Sequence, residues 1–284
     1  MKLPADPKAA VLGLGIIGSR VHANLRNAGL TTSCWNRSPK KAPEASPTAR
    51  EAVADADLIS LFLKDSPALR AVMEEIECCL RPNQVVMNHS TIDPATARWT
   101  ADLCDRAGCG FLDAPFTGSR EAAANRQLVY YVSGPRELAE TVDDFLALTS
   151  SSRLFCGPVG SAAVVKLVTN LLAACTVQAL AEALAIATAH GVSADLLARA
   201  IADNASGSRL AAMKLPLMAT GDFEPHFSLE NMAKDAGYVA RLAADAGLPA
   251  PATLTVARQM QSLIDQGMGP LDYSVLAEGI RGNP

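Results

Sequence analysis

The chain is predicted to be an α/β protein, a doubly wound parallel sheet followed by an all-α C-terminal domain with a long interdomain helix, and three features of its 284 residues carry that reading. Short apolar runs alternate with helix-periodic stretches through the first half, as expected of parallel strands covered by helices on both faces. A glycine-rich turn joins the first run to the first helix, and from about residue 160 the strand-like runs give way to Ala- and Leu-rich helical segments. The strand candidates are 9–13, 31–35, 58–63, 85–89, 110–113 and 129–133. Between them, 18–28, 67–80 and 94–107 space apolar residues three or four apart, so one face of each can cover the sheet. A very long helix is expected over 161–190, closed by Gly191 as its C-terminal cap. Further helices are expected around 194–204, 229–246 and 250–266, with breaks at 247–249 and 267–270. The domain boundary is set accordingly, giving domains 1–159 and 160–284, and the Pro-rich patch 39–47 reads as a surface connection.

Apolar residues make up 49% of the chain, enough to bury a sizeable core. Lys and Arg number 25 against 29 Asp and Glu, a net charge of −4 with no long run of either sign. No nucleic acid and no membrane surface is expected as a partner, since both are bound through dense Lys and Arg. A small molecule is the expected ligand. The seven cysteines are scattered without paired CxxC spacing, and Cys78 and Cys79 are adjacent, which points to reduced thiols in a cytoplasmic protein. The N-terminal residues lead into a strand and turn rather than a signal peptide. The apolar stretch 167–189 is long enough to cross a bilayer, but Lys166, Asn170, Gln178 and Glu182 open or interrupt it, so a helix buried among protein partners is expected. The four histidines show no metal-ligand spacing, so no metal is expected, and no G-x-S-x-G elbow marks a serine hydrolase.

Gly13-Leu14-Gly15-Ile16-Ile17-Gly18 is a G-x-G-x-x-G directly after a strand and at the start of a helix, the context in which the pattern marks a Rossmann-type dinucleotide site. Gly13 permits the tight turn, Gly15 lets a pyrophosphate approach the backbone, and Gly18 lets helix and strand pack closely. Free amides at the helix start then face the anion. A glycine packing turn without a ligand is the alternative. The second strand ends at Asn36-Arg37-Ser38, where an NAD-binding protein usually places an acid for the ribose 2′-hydroxyl. The acid is missing and an arginine suits a 2′-phosphate, so NADP(H) is expected over NAD(H). Lys40 and Lys41 fit either a phosphate contact or a solvated turn.

Three further segments resemble the β-hydroxyacid dehydrogenase family, that of 3-hydroxyisobutyrate dehydrogenase and its relatives. Asp113-Ala-Pro-Phe-Thr-Gly-Ser119 is similar to D-A-P-V-S-G-G, Lys166-Leu-Val-Thr-Asn170 to K-L-x-N-N, and Lys234-Asp235 closes a third motif that begins at Phe227. With the glycine turn and Gly267-x-Gly-x-x-Asp272-x-Ser274, the likeness runs in order over nearly the whole chain. The Thr-Gly-Ser form together with Asn-Arg at the ribose is most similar to the glyoxylate and succinic semialdehyde reductase branch, which implies reduction of small aldehyde acids with NADPH. Departures are Asn88 where D-x-S-T has aspartate, Lys64 where proline is usual, and Arg126 where A-x-x-G-x-L has glycine. Arg126 either adds positive charge near the substrate or points into water.

Hydride transfer to an aldehyde builds negative charge on the carbonyl oxygen, so a proton donor and a clamp for the rest of the substrate are needed. Lys166, opening a strongly apolar helix, is the donor candidate, because desolvation lowers a lysine pKa toward about 7 to 8. An exposed first-turn lysine is the alternative. Asn170 lies four residues on, on the same helix face, and its amide can hold a carboxylate, orient the lysine, or simply be internally satisfied. The Thr117 hydroxyl and the amides of Gly118 and Ser119 form a carboxylate clamp, as the resembling motif implies. The resemblance also implies that Lys234 and Thr91 approach the nicotinamide and that Leu63 and Lys64 pass the adenosine or bridging ribose.

The expected activity is therefore NADPH-dependent reduction of a small carboxylate-bearing aldehyde or keto acid, or oxidation of the matching hydroxyacid. An imine reductase and a non-catalytic NADP(H)-binding oligomeric scaffold are the alternatives. The apolar helix 161–190 calls for a second subunit, giving a homodimer or a homotetramer.

Overall fold

The computed structural model describes residues 3–38 and 44–281, so Lys40, Lys41 and part of the Pro-rich patch lie outside the described residues. The chain divides into two compact units, Met1–Lys166 and Leu167–Pro284. That division falls inside the long helix, whereas the expected boundary at 159/160 lay just ahead of it.

The first unit runs β1 (Ala9–Leu12), α1 (Gly18–Asn27), β2 (Thr32–Trp35), α2 (Ala49–Val53), β3 (Leu58–Leu61), α3 (Ser66–Ile76), β4 (Val85–Asn88), α4 (Pro94–Arg106), β5 (Gly110–Asp113), β6 (Phe116–Thr117), α5 (Arg120–Ala124), β7 (Leu128–Ser133), α6 (Arg136–Thr141), α7 (Asp143–Ala147) and β8 (Ser150–Gly157), and ends in the first turns of α8 (Ser161–Ala189). The sheet order is β2-β1-β3-β4-β5-β7-β6, with β8 beside β7. The first five strands are parallel, with Ala9 in register with Thr32 on one side and Leu58 on the other. β7 runs antiparallel to β5 through the pair Asp113 and Ser133. Winding reverses at β1, which places a crevice at the carboxyl ends of β1 and β3, where open α/β sheets bind their ligands.

Successive strand residues feed opposite faces. Val11 and Leu58 join Val21 and Leu25 of α1 and Leu138 and Phe145 of the α6–α7 region in one core. Leu12 and Ile59 join Ala52, Leu69, Met73 and Leu103 of α2, α3 and α4 in the other. Because both faces are covered, the strands are apolar throughout rather than alternating. Each fully buried aliphatic chain such as Leu25 or Ile59 contributes about 2 kcal/mol relative to exposure. Asp65 and Asp93 cap α3 and α4 by accepting from the amides of Ala68 and Thr96, and a proline in each first turn fixes the start.

α5 ends in a Schellman turn: the Gln127 amide donates to the Ala122 carbonyl and the Arg126 amide to that of Ala123. Arg126 therefore holds the left-handed position, at φ +58°, and is exposed. This is why the resembling motif carries glycine there. Arg126→Gly is expected to stabilise the protein by about 1 kcal/mol, the cost of a left-handed non-glycine residue, as read by urea unfolding; a loss of stability would show that the arginine side chain contributes more than its backbone costs.

The second unit holds the rest of α8 with α9 (Ala194–Ala202), α10 (Arg209–Thr220), α11 (Leu229–Asp245), α12 (Pro251–Asp265), a 3₁₀ turn at Tyr273–Ala277 and α13 (Glu278–Arg281). Val177, Ala181 and Leu184 of α8 pack with Leu215, Met232, Met260 and Val275. α10 was not expected; it accommodates Pro216 within it. By length and composition α8 could cross a membrane. Its outer side leaves Leu172 67% and Ile186 63% exposed in the single chain.

Candidate functional site

The glycine turn follows β1 and starts α1, with the three glycines in different circumstances. A Cβ on Gly13 would stand 2.1 Å from the Phe62 carbonyl oxygen, and one on Gly18 would stand 2.0 Å from the Gly13 carbonyl oxygen, so both are held by close backbone packing. A Cβ on Gly15 would meet nothing within 4 Å. Gly15 and Ile16 are exposed, Ile17 is half-buried, and Leu14 is buried. Among the described residues the amides of Gly15, Ile16 and Ile17 have no acceptor within the protein, and Ile17 offers no side-chain cap to α1. These donors fit a pyrophosphate. Arg20, which sequence reasoning passed over, donates from its guanidinium to the Ile16 carbonyl at 2.5 Å and brings a positive charge to the same turn.

Asn36 is half-buried and engaged within the chain. Its Oδ1 accepts from the Leu14 amide at 3.0 Å and its Nδ2 donates to the Ser38 carbonyl at 3.0 Å, so it ties the end of β2 to the glycine turn. Arg37 and Ser38 are exposed, and among the described residues Arg37 has no ion pair or hydrogen bond. An unengaged guanidinium at the end of β2 fits a 2′-phosphate. After β3, the Leu63 amide donates to the Ser90 hydroxyl at 2.8 Å, while Lys64 is exposed. Thr91 follows β4 and is half-buried. All these residues lie at the carboxyl ends of parallel strands, the side that the strand order selects.

The strand ends β4 and β5 carry a buried polar cluster. Asn88 Nδ2 donates to Asp113 Oδ1 at 2.8 Å, and Asp113 Oδ2 accepts from the Ala163 amide at 3.1 Å. Burial pushes the Asp113 carboxyl up to about 7, against the hydrogen bonds from Asn88 and Ala163. His89 stacks on Phe62 at 4.5 Å and is fully enclosed. Its Nδ1 lies 2.8 Å from the Ala114 carbonyl, an acceptor only, so Nδ1 carries the proton and Nε2 accepts from the Ser60 hydroxyl. Burial lowers the His89 pKa to about 4. The unfolded chain then binds the extra proton between about pH 6.5 and 4, so the stability this histidine contributes is lost as pH falls through that window. Imidazole ¹⁵N shifts are expected to stay those of the neutral Nδ1–H form at pH 5.5; a cationic ring at that pH would refute the assignment.

Thr117 ends β6 and is half-buried, and Gly118 and Ser119 are exposed. The Ser119 hydroxyl accepts from the Ala122 amide at 3.2 Å as the cap of α5. Lys166 is buried, at 9% exposure, which disposes of the exposed first-turn alternative.

In the second unit, Asn170 Nδ2 donates to Asp235 Oδ2 at 2.7 Å, and the Lys234 ammonium pairs with Asp235 Oδ1 at 2.8 Å. One carboxylate, itself 1% exposed, thus holds two of the expected site residues. Sequence reasoning gave Asp235 no role, although a charge on an otherwise apolar helix face is a signal that it is paired. The Lys234 ammonium also lies 5.1 Å from the centre of the Tyr238 ring.

Two family descriptions cover the chain: the NAD binding domain of 6-phosphogluconate dehydrogenase matches residues 8–160, and the NAD-binding domain of NADP-dependent 3-hydroxyisobutyrate dehydrogenase matches residues 160–279. A Mycobacterium tuberculosis 3-hydroxyisobutyrate dehydrogenase structure, determined with L-serine, superposes with a TM-score of 0.90 at 27% identity, covering 97% of this chain and 99% of that one. The chloroplastic glyoxylate/succinic semialdehyde reductase 2 of Arabidopsis thaliana is 25% identical over 95% of this chain and 78% of its own length. The mouse cytokine-like nuclear factor N-PAC is 28% identical over 82% of this chain, and the match spans 43% of that longer protein.

Proposed function

The chain belongs to the β-hydroxyacid dehydrogenase family, and from that premise we propose that this NAD(P)-dependent oxidoreductase uses NADP(H) to reduce small aldehyde or keto acids such as glyoxylate and succinic semialdehyde. In the opposite direction it oxidises the corresponding hydroxyacids. The observation that carries the chemistry is the burial of Lys166, which keeps a proton-bearing Nζ at the start of α8 away from bulk water. The bound nicotinamide supplies the hydride. Lys166 delivers a proton from Nζ to the carbonyl oxygen as charge builds there, and receives one back in the oxidative direction. The Thr117 hydroxyl and the amides of Gly118 and Ser119 grip the substrate carboxylate. Asn170 lies one turn beyond Lys166 on α8, where an amide already fixed by Asp235 can orient the lysine.

The guanidinium of Arg37, without a partner among the described residues, supports the cofactor preference, with the amides of the glycine turn holding the pyrophosphate. The test is oxidation of NADPH and NADH by the purified protein with glyoxylate, succinic semialdehyde and a non-acid aldehyde side by side. Faster turnover of NADPH with the acids is expected. Arg37→Ala should raise the KM for NADPH about tenfold or more, the loss of one charge-assisted contact, and leave that for NADH unchanged. Equal effects on both cofactors would remove the 2′-phosphate role.

The likeness to a protein named as a nuclear factor favours, as the second reading, a non-catalytic NADP(H)-binding scaffold; NADPH binding without turnover of any of these aldehydes would select it. The exposed outer side of α8 supports assembly as a homodimer or homotetramer, and sedimentation as a strict monomer at micromolar concentration would overturn that assembly.

A further inference from the structure

The helix that carries Lys166 is preceded by a glycine. Gly160, at φ +93°, precedes it and has no side chain to accept from first-turn amides, a role ordinarily filled by Ser, Thr, Asp or Asn. The acceptor comes instead from the sheet. Asp113, the last residue of β5, takes the Ala163 amide on Oδ2 at 3.1 Å. Its Oδ1 accepts from Asn88 Nδ2 at 2.8 Å, and Asn88 is fixed in turn by accepting from the Ser90 amide and donating to the Ser90 carbonyl, both at 3.0 Å. Asn88 and Asp113 are both 0% exposed. A carboxylate at a helix N-terminus also opposes the positive end of the helix dipole. Ala163 and Lys166, three residues apart, are neighbours on one helix face.

We infer that Asp113, oriented by Asn88, is the positioning residue that sets the rotation and height of α8 and thereby places the Lys166 ammonium for proton transfer. This rests on the reading of Lys166 as the proton donor. Asn88, which departs from the aspartate of D-x-S-T, belongs to the device. Its amide donates where a second carboxylate at 2.8 Å would have to share a proton with Asp113. The pair therefore leaves both Asp113 oxygens available as acceptors, one for Asn88 and one for the helix.

The test compares Asp113→Ala with the exchanged double variant Asn88→Asp/Asp113→Asn, using steady-state kinetics with NADPH and glyoxylate and NADPH binding by fluorescence. In the exchange, the amide at 113 can still accept from Ala163 and donates to the carboxylate at 88, which still accepts from the Ser90 amide and gives up the bond to the Ser90 carbonyl. Asp113→Ala is expected to lower kcat by about 10²-fold, the effect of roughly 1 Å of misplacement, with NADPH affinity and the KM for glyoxylate little changed. The exchange is expected to regain most of the lost kcat. Undiminished kcat in Asp113→Ala, NADPH affinity falling in parallel with kcat, or an exchange no better than Asp113→Ala would each overturn the inference. If Asp113→Ala does not fold, Asp113→Asn, which sets two amides against each other, replaces it with the same expectations. Lys166→Ala is run alongside. If it is inactive while Asp113→Ala is fully active, only the positioning role falls; if it retains the parent rate, the proton-donor reading fails and takes the inference with it.

Discussion

Lys166→Ala is expected to lose at least about 10²-fold in kcat while NADPH binding stays within about twofold of the parent. General acid catalysis is worth about 10² to 10⁴ in rate, or some 3 to 5 kcal/mol of barrier, and Lys166 is the buried cation on which the proposed proton transfer depends. Cofactor affinity should survive because the pyrophosphate donors and Arg37 lie on the β1–α1 turn and the end of β2, elements that do not include Lys166. Lys166→Arg separates proton transfer from simple charge. An arginine keeps the positive charge but does not release its proton near neutral pH, so it should be nearly as inactive as the alanine variant. A kcat within tenfold of the parent for Lys166→Ala would assign the proton to another donor; an active Lys166→Arg would reduce the role to electrostatics.

Asp272→Asn should cost the helical unit about 3 to 5 kcal/mol, the range measured for breaking a buried ion pair from one side. Asp272 is 0% exposed and its Oδ1 lies 2.6 Å from the Lys214 ammonium, which is 1% exposed. The carboxylate also accepts from the amides of His226 and Phe227 at 3.1 Å and from the Ser274 amide and hydroxyl at 3.0 and 2.8 Å. Burial alone would raise its pKa, but the Lys214 hydrogen bond and charge, with the amides of Ser274 and Phe227, outweigh it and hold the carboxyl below the ordinary range. Its contribution is then complete at neutral pH and is lost as pH falls through the depressed value. Removing the carboxylate strands a charged lysine against the Tyr273 ring, 4.6 Å away. Lys214→Met should be similarly costly, and Lys214→Met/Asp272→Asn less costly than the sum of the two, because neither charge is then left alone. An unfolding free energy from urea titration reduced by less than about 1 kcal/mol in Asp272→Asn would show that Lys214 reaches water or loses its proton at little cost.

The motif Gly267-x-Gly-x-x-Asp272-x-Ser274 was legible as a pattern and not as a device. Nothing local names Lys214, 58 residues earlier, as the partner of Asp272, and the helix that delivers it, which contains Pro216, was not among those expected. The two-residue β6 and the edge strand β8 also escaped notice. β8 opens with three serines, and its early residues are largely exposed, so it lacks the apolar run by which the central strands are recognised. Asp113 could have been singled out earlier. An acid ending the apolar strand Gly110–Asp113 has to be paired if it is buried, although the sequence does not say with which group.

The amino-acid sequence by itself determined the doubly wound sheet, because burial on both faces demands apolar runs of strand length spaced by amphipathic helices. It determined the glycine turn, where steric demands are local and leave their mark in residue type, and it placed Arg37 and Lys166 at the ends of the elements that carry them. Tertiary structure alone decided which polar groups meet: Asn36 with Leu14, Asp113 with Asn88 and Ala163, Asn170 and Lys234 with Asp235, Lys214 with Asp272. Those meetings add structural work to residues that the motifs named: Asn36 also braces the glycine turn, and the Ser119 hydroxyl caps α5. The physical reason is that periodicity and propensity act over one or two turns of chain, whereas a buried polar group is satisfied by whatever the packed elements bring within 3 Å of it, and that choice is made only when the whole unit has folded.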